Sequence, residues 1–187
     1  MSQAAYGGGA PAGQTVLNTY TQNGVVAVLY QNASTGDLTL AYKGSSTLSD
    51  WGTDIANALG FKTQEYTTAV NIANQVVGDY PDAAITLTGH SLGGGMAGLA
   101  ASATGLSAVT FNAAGANPAA YGYAAPVAGQ IVNYAVATDI VTLSQTFLPI
   151  NSALGTQVTL TPGNLMDTID PFAAHGMNSV QAALGGG

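Results

Sequence analysis

The stretch that decides the fold runs from residue 83 to residue 111 and reads AAITLTGHSLGGGMAGLAASATGLSAVTF. A β-rich run, Ala83 to Thr88, leads into a glycine-rich turn, a small-residue helix from about Ser91 to Thr104 and a second β-run, Ser107 to Phe111. Gly105 is placed to cap the helix. A strand, a helix and a strand in this order predict two parallel strands joined by a right-handed crossover. The fold class is therefore α/β.

The flanking segments extend this sheet. Two β-rich runs, Gly24 to Gln31 and Asp37 to Lys43, are separated by a polar turn and predict an antiparallel hairpin at its edge. Apolar residues then recur at helical spacing from Thr63 until Gly78, and Gln130 to Ala137 is a further β-run. We expect a single domain over residues 1–187, with a mixed, mostly parallel central sheet flanked by helices. Its glycine-rich ends, at about 1–14 and 185–187, are expected to be loose.

The composition indicates a globular protein with few charges. Hydrophobic residues make up 47% of the chain and charged residues 6%, and the formal net charge is −7. Lys43 and Lys62 are the two basic side chains, so the chain lacks the clustered Lys and Arg that bind nucleic acid or an anionic membrane. It has no cysteine, and its nine acids and two histidines show no metal-ligand spacing. We expect no metal and no cofactor.

The sequence also indicates where in or outside the cell the protein acts. No apolar run is long enough to span a bilayer, so we expect at most transient contact with a lipid interface. Met1 to Gln14 lacks the basic and apolar regions of an ordinary signal peptide. The low lysine content nevertheless favours a secreted or extracellular protein without a recognisable signal peptide.

The turn in the opening stretch predicts a nucleophile. Gly89 to Gly93, GHSLG, matches the pattern G-x-S-x-G, which is weak evidence by itself in a chain with 25 glycines among 187 residues. The context strengthens it, because the serine falls on a sharp turn between a strand and a helix, and the flanking glycines relieve crowding there. Such a turn lifts the Ser91 hydroxyl above the sheet, at a helix N-terminus that favours developing negative charge. The alternative is an ordinary strand-to-helix turn with Ser91 as the helix N-cap.

A serine hydroxyl needs a general base, and the chain offers two histidines. His90 is adjacent to Ser91, and adjacent side chains on a tight turn point apart, so His90 is interpreted as a packed or hydrogen-bonded turn residue. His175 lies in a predicted loop, Pro171 to Gly176, and is the predicted base. It follows the nucleophile in the chain order of α/β hydrolases.

A carboxylate must orient the imidazole. The β-run Gln130 to Ala137 is followed by Thr138 and then by Asp139. Asp139 therefore lies at the carboxyl end of a strand, where open α/β sheets place their ligand-binding and active sites. Asp167 and Asp170 lie in the polar stretch before His175 and are interpreted as turn formers or helix caps. Asp139 is the preferred third member.

With these residues in place, the sequence resembles the class 3 (fungal-type) lipase family of the α/β-hydrolase superfamily. GHSLGG around Ser91 is that family's form of the turn, and LAYKGSSTLSDW, Leu40 to Trp51, is similar to its strand-end pattern. Tyr42 and Lys43 stand where Phe and Arg are usual in the family. The likeness covers most of Gly24 to Leu184.

The resemblance implies an α/β-hydrolase fold and an oxyanion hole formed by the backbone N–H groups of Ser45 and Leu92; the alternative for Ser45 is an ordinary turn serine. It also implies a lid over an acyl groove in a segment whose apolar residues share one helical stripe, and a short core helix is an equal alternative. The stripe consists of Leu48, Trp51, Ile55 and Leu59.

The sequence therefore predicts an enzyme, a carboxylic ester hydrolase with a lipid or small ester as its substrate. By resemblance it is a triacylglycerol lipase or a phospholipase of the A type, acting through an acyl-enzyme on Ser91. One alternative is a short-chain carboxylesterase or a polyester hydrolase. Another is a non-catalytic surface or interaction module that retains the fold.

Overall fold

The computed structural model describes residues 1–2, 4–7, 9–44, 64–147 and 151–185 of the chain. Within these ranges seven strands form one sheet and follow one another across it in sequence order. The strands are β1 (Gln14–Gln22), β2 (Val25–Asn32), β3 (Leu38–Tyr42), β4 (Ile85–His90), β5 (Ser107–Phe111), β6 (Ile131–Val136) and β7 (Thr156–Leu160). The helices are α1 (Gln64–Asp79), α2 (Leu92–Thr104), α3 (Ile140–Phe147), α4 (Leu165–Ile169), α5 (Pro171–His175) and α6 (Met177–Gly185). Short 3-10 turns lie at Ala4–Tyr6 and Pro118–Tyr121.

The pairing of the strands confirms the predicted fold class, a mixed and mostly parallel sheet flanked by helices. β1, β2 and β3 pair antiparallel, whereas β3 to β7 all run parallel. The predicted hairpin is β2–β3, and the predicted crossover is β4–α2–β5, with Gly105 ending α2 in the left-handed conformation at φ 77°. None of the helices in the described ranges combines the length and the hydropathy that a bilayer crossing requires.

One face of the sheet is covered by helices. Alternate strand residues, among them Leu40, Leu87 and Ile131, are fully buried there against α1 and α2. Tyr121, in the crossover from β5 to β6, packs against the same cluster. Because each parallel strand is added on the same side of the one before it, the right-handed crossover connections all lie on the same face of the sheet.

The two ends of the chain pack against parts of the other face. The 3-10 turn at Ala4–Tyr6 lies in a segment that we expect to be loose, and its Ala5 is buried against Val28 and Tyr30 of β2. At the far edge Val180 of α6 packs on Val136 of β6. Helix α6 thereby returns the chain to the carboxyl end of β6, where the site residues lie.

Candidate active site

Ser91 occupies a strained turn between β4 and α2. Its backbone has φ 57° and ψ −127°, a region that residues with a Cβ rarely adopt. Hydrogen bonds hold it there: its N–H donates to the Phe111 carbonyl over 3.1 Å, and its carbonyl accepts the N–H groups of Gly95 and Ala114. The Ser91 hydroxyl makes no capping hydrogen bond to α2, which the N-cap alternative would require.

The glycines flanking Ser91 allow the backbone to pack closely. A Cβ on Gly89 would lie 2.1 Å from the Gly93 carbonyl oxygen. A Cβ on Gly93 would lie 2.5 Å from the Tyr42 carbonyl oxygen and 2.9 Å from the Gly44 nitrogen. The end of β3, which leads into residue 45, therefore passes directly against the first turn of α2.

Leu92 is the first residue of α2. Its N–H belongs to the first turn, whose amide groups have no acceptor within the helix. The other predicted oxyanion-hole residue, Ser45, lies outside the described residues, and so do Leu48, Trp51, Ile55 and Leu59 of the predicted lid or core helix. The roles assigned to these five residues stay predictions.

The structure brings Asp139 and His175 together. The Nδ1–H of His175 donates to Oδ1 of Asp139 over 2.5 Å, and both residues are buried, with 1% and 0% of their surface exposed. Oδ2 of Asp139 accepts the backbone N–H and the hydroxyl of Thr142, over 2.8 and 2.6 Å. Since both carboxylate oxygens are bonded, the carboxylate has one orientation, and it holds the imidazole with Nδ1 protonated.

Asp167 and Asp170 make other contacts. Asp170 accepts the N–H groups of the second and third residues after it, over 2.9 and 3.2 Å, and caps α5. Asp167 accepts the Ser179 hydroxyl over 2.7 Å and the Asn164 amide over 2.8 Å. Among the described residues, no group of three or more His, Asp or Glu is arranged to hold a metal ion.

The loop predicted for Pro171 to Gly176 is wrong. Pro171–His175 form helix α5, and Gly176 caps its end. Asp170 supplies the N-cap, and Pro171 occupies the first helical turn, where a missing N–H costs nothing. A five-residue helix has too few apolar positions to show a period in the sequence.

His90 contacts His175 and is shielded from solvent. Its Nε2–H donates to the His175 carbonyl over 2.6 Å, and the two ring centroids lie 4.6 Å apart. Burial, followed by the interaction with His175, lowers the pKa of His90 to about 3, so the ring is neutral near pH 7. Because His90 directly precedes Ser91, this contact brings the predicted base to the turn that bears the predicted nucleophile.

Asn112 is a site residue that the sequence reasoning missed. It is fully buried, with φ 41°, and its Nδ2 donates to the carbonyls of Ala174 and His175 over 3.2 and 3.0 Å. Its Oδ1 accepts the Val136 N–H over 2.9 Å. The available signal was a polar residue directly after a buried β-run, at the carboxyl end of a parallel strand.

The sequence of this chain matches one described family and a curated relative. A family model described as a Tle-like phospholipase domain matches residues 12–185. The protein named "Extracellular phospholipase A1" from Serratia liquefaciens is 33% identical in an alignment 183 positions long that covers 87% of this chain and 56% of that protein. The chain thus spans little more than half the length of this relative.

Solved lipases share the fold. A triacylglycerol lipase from Penicillium expansum aligns with a TM-score of 0.58 at 19% identity, over 100% of this chain and 84% of that one. The Lip2 lipase from Yarrowia lipolytica aligns with a TM-score of 0.56 at 20% identity, over 78% and 67%. At these identities a structural likeness shows the fold alone. Taken together, the sequence and structure matches confirm the predicted resemblance to class 3 lipases.

Proposed function

The chain belongs to the family of Tle-like phospholipase domains, and we propose that it hydrolyses acyl esters of lipids, above all of phospholipids, through an acyl-enzyme on Ser91. The observation that carries the proposal is the buried 2.5 Å hydrogen bond between His175 and Asp139, beside the strained turn that bears Ser91. Strain of this kind persists only where surrounding contacts enforce it, and it is concentrated at functional sites.

In the proposed reaction His175 Nε2 takes the hydroxyl proton as Ser91 Oγ attacks the ester carbonyl carbon. The tetrahedral intermediate collapses as the C–O bond breaks, and His175 returns the proton to the departing alcohol. Water, deprotonated by the same imidazole, then attacks the acyl-enzyme and releases the fatty acid. Asp139 keeps Nδ1 protonated and stabilises the imidazolium formed in both steps.

The oxyanion formed in each step needs aligned donors. We assign this role to the backbone N–H of Leu92, at the N-terminus of α2, and to that of Ser45. The close packing of Gly93 on Tyr42 and Gly44 supports the pairing, since it brings the segment entering Ser45 against the turn that contains Leu92. Each donor in such a site typically contributes about 3 kcal/mol.

An exposed apolar surface beside the site supports a lipid substrate over a small ester. Four large side chains on α4 and α5, which lead directly into His175, are 55% to 73% exposed. This apolar ridge consists of Leu165, Met166, Ile169 and Phe172. Clustered exposed apolar side chains mark surfaces that bind a partner, and a soluble ester needs none. Residues 140–187 contain no Lys or Arg, so the ridge suits zwitterionic or uncharged lipids.

We also propose that the protein acts outside the cell as one domain. The Serratia relative is named as extracellular, and the low content of basic residues agrees with export. The single sheet, with chain segments packed on both faces, supports treating residues 1–187 as one unit.

A fluorophosphonate probe and a substrate series test this function. The wild type and a control, Ser102→Ala in the same helix, are expected to be labelled once and to hydrolyse phosphatidylcholine. Ser91→Ala is expected to show neither labelling nor hydrolysis. Hydrolysis that persists in Ser91→Ala would refute the mechanism.

The same series separates the alternatives. We expect long-chain phosphatidylcholine to be hydrolysed faster than p-nitrophenyl butyrate. The opposite order would favour a short-chain esterase, and folded protein that the probe never labels would favour a non-catalytic module.

A further inference from the structure

The carboxyl end of α5 is tied to the sheet through its carbonyl groups. The last carbonyl groups of a helix receive no hydrogen bond from within the helix, so they need other donors. The His175 carbonyl accepts the His90 Nε2–H over 2.6 Å and an Asn112 Nδ2–H over 3.0 Å. The Ala174 carbonyl accepts the same Asn112 amide over 3.2 Å. Both donors come from the carboxyl ends of adjacent parallel strands, β4 and β5, and both are buried.

The partners fix the direction of every one of these bonds. A carbonyl can only accept, so Nε2 of His90 must carry its proton. The Asn112 amide faces two carbonyls on one side and the Val136 N–H on the other, so its nitrogen points to α5 and its oxygen to β6. A flipped amide would place an oxygen against two carbonyl oxygens and lose all three bonds.

From this geometry we infer that His90 and Asn112 are positioning residues that clamp the main chain of His175 and so hold its imidazole between Asp139 and Ser91. The inference rests on the proposed function. Neither residue touches the substrate, and both act through His175.

The clamp links all three members of the proposed triad. His90 directly precedes Ser91, so its hydrogen bond joins the turn that bears the proposed nucleophile to the proposed base. The centroids of the His90 and His175 rings also lie 4.6 Å apart. The Asn112 side chain accepts the N–H of Val136, which ends β6 three residues before Asp139. One amide therefore holds both the strand that leads to Asp139 and the main chain of His175. The bond to Asp139 alone would hold the imidazole at one atom and leave it free to pivot. A displacement of about 1 Å in a catalytic group can cost on the order of 100-fold in rate.

Three substitutions distinguish the loss of a hydrogen-bond donor from a change in ring packing or in backbone conformation. His90→Phe keeps a ring of similar shape and removes the N–H donor, whereas His90→Gln keeps a donor at similar reach. Asn112→Gly removes the amide and keeps a backbone that favours the observed φ of 41°. The control is Asn133→Ala: Asn133 is 1% exposed, and it bonds Thr110, Gln157 and the Ala113 N–H rather than His175.

The first readout is hydrolysis of a p-nitrophenyl ester, with kcat expressed per site titrated by the fluorophosphonate probe. We expect His90→Phe and Asn112→Gly to lower kcat by about 10- to 100-fold with KM changed by less than about twofold. His90→Gln should stay within about fivefold of the wild type. Asn133→Ala should lower the folded fraction and leave kcat per site unchanged. A purely structural role for His90 and Asn112 predicts the Asn133→Ala behaviour for all variants, and that result would overturn the clamp.

The second readout is the low-field NMR signal of the His175 Nδ1 proton in histidine-labelled protein. The clamp predicts a sharp signal in the wild type and in His90→Gln, and a broadened or lost signal in His90→Phe and Asn112→Gly. A sharp, unshifted signal in the last two would overturn it. This readout needs no turnover, so a wild type that the probe does not label would defeat the proposed function and leave the clamp testable. Normal turnover with unaffected clamp variants would defeat the clamp alone.

Discussion

Replacing Gly93 by alanine should damage both stability and activity, whereas the same replacement at Gly98, five residues further along α2, should stabilise the protein. At Gly93 the new Cβ would lie 2.5 Å from the Tyr42 carbonyl oxygen and 2.9 Å from the Gly44 nitrogen. Both are main-chain atoms and cannot rotate away. At Gly98 the nearest atom is Cβ of Leu154, at 3.5 Å, which is an ordinary contact.

The magnitudes follow from these distances. At Gly93 the new Cβ would have to move roughly 0.9 Å further from the Tyr42 oxygen to reach an ordinary contact distance, and forcing extra atoms into a packed region costs about 1 to 3 kcal/mol. At Gly98 an alanine in a helix interior gains about 0.5 to 1 kcal/mol. For a domain of this size, 1 kcal/mol corresponds to a Tm shift of about 2 to 4 °C. At Gly93 the displaced β3 end also moves the segment entering Ser45, so we expect the probe to label Ser91 at least tenfold more slowly.

Thermal unfolding and the labelling rate of Ser91, measured on both variants, check this reasoning. We expect Gly98→Ala to raise Tm by about 1 to 4 °C and to label at the wild-type rate. Gly93→Ala should lower Tm and label slowly at temperatures where it is folded. A Gly93→Ala protein with wild-type Tm and labelling rate would show that the end of β3 does not pack on α2 as described.

Three further predictions concern the site and its surroundings. Asp139→Asn should lower kcat by about 10⁴-fold, because an amide no longer selects the Nδ1–H tautomer of the base, and a kcat close to that of the wild type would contradict the assigned role. Ile169→Ser combined with Phe172→Ser should weaken the affinity for phosphatidylcholine vesicles, measured by sedimentation, about tenfold or more, because burying each apolar side chain in the lipid contributes about 1 kcal/mol. Hydrolysis of a soluble ester should stay unchanged. The pKa of His90 is about 3 in the folded chain and about 6.5 in the unfolded chain, so the unfolded chain takes the proton first and stability falls as the pH drops from 6.5 towards 3. Urea unfolding at pH 7 and pH 5 should therefore show the wild type losing about 2 kcal/mol more than His90→Gln, and equal losses would count against a buried neutral His90.

The sequence predicted the centre of the sheet well and its edges poorly. The β4–α2–β5 unit was predictable because β4 is almost entirely buried and glycines mark both ends of the helix. β1 is an edge strand in which Tyr20 is the one buried residue, so it shows no apolar face. The five-residue β7, at the opposite edge, is mostly exposed for the same reason. Edge strands are specified by the neighbour they pair with, which the local pattern does not contain.

The same contrast holds for the site. Asp139 and His175, 36 residues apart, could be paired from the sequence because few acids and few histidines were available and strand ends converge at one edge. The position of Asn112 at a strand end was visible in the sequence, but its contacts were not, because they depend on where α5 ends, and a five-residue helix capped by Asp170 leaves too weak a periodic signal.

The order of the strands has a consequence for biosynthesis. Each strand pairs with the one before it, so the sheet can grow strand by strand as the nascent chain leaves the ribosome. The serine-bearing turn can form once β5 has emerged, about 60 residues before the histidine-bearing helix is made. Until α5 and α6 dock, the proposed nucleophile Ser91 lacks its proposed base, His175. On the proposed mechanism, lipid hydrolysis therefore has to wait until His175 has left the ribosome.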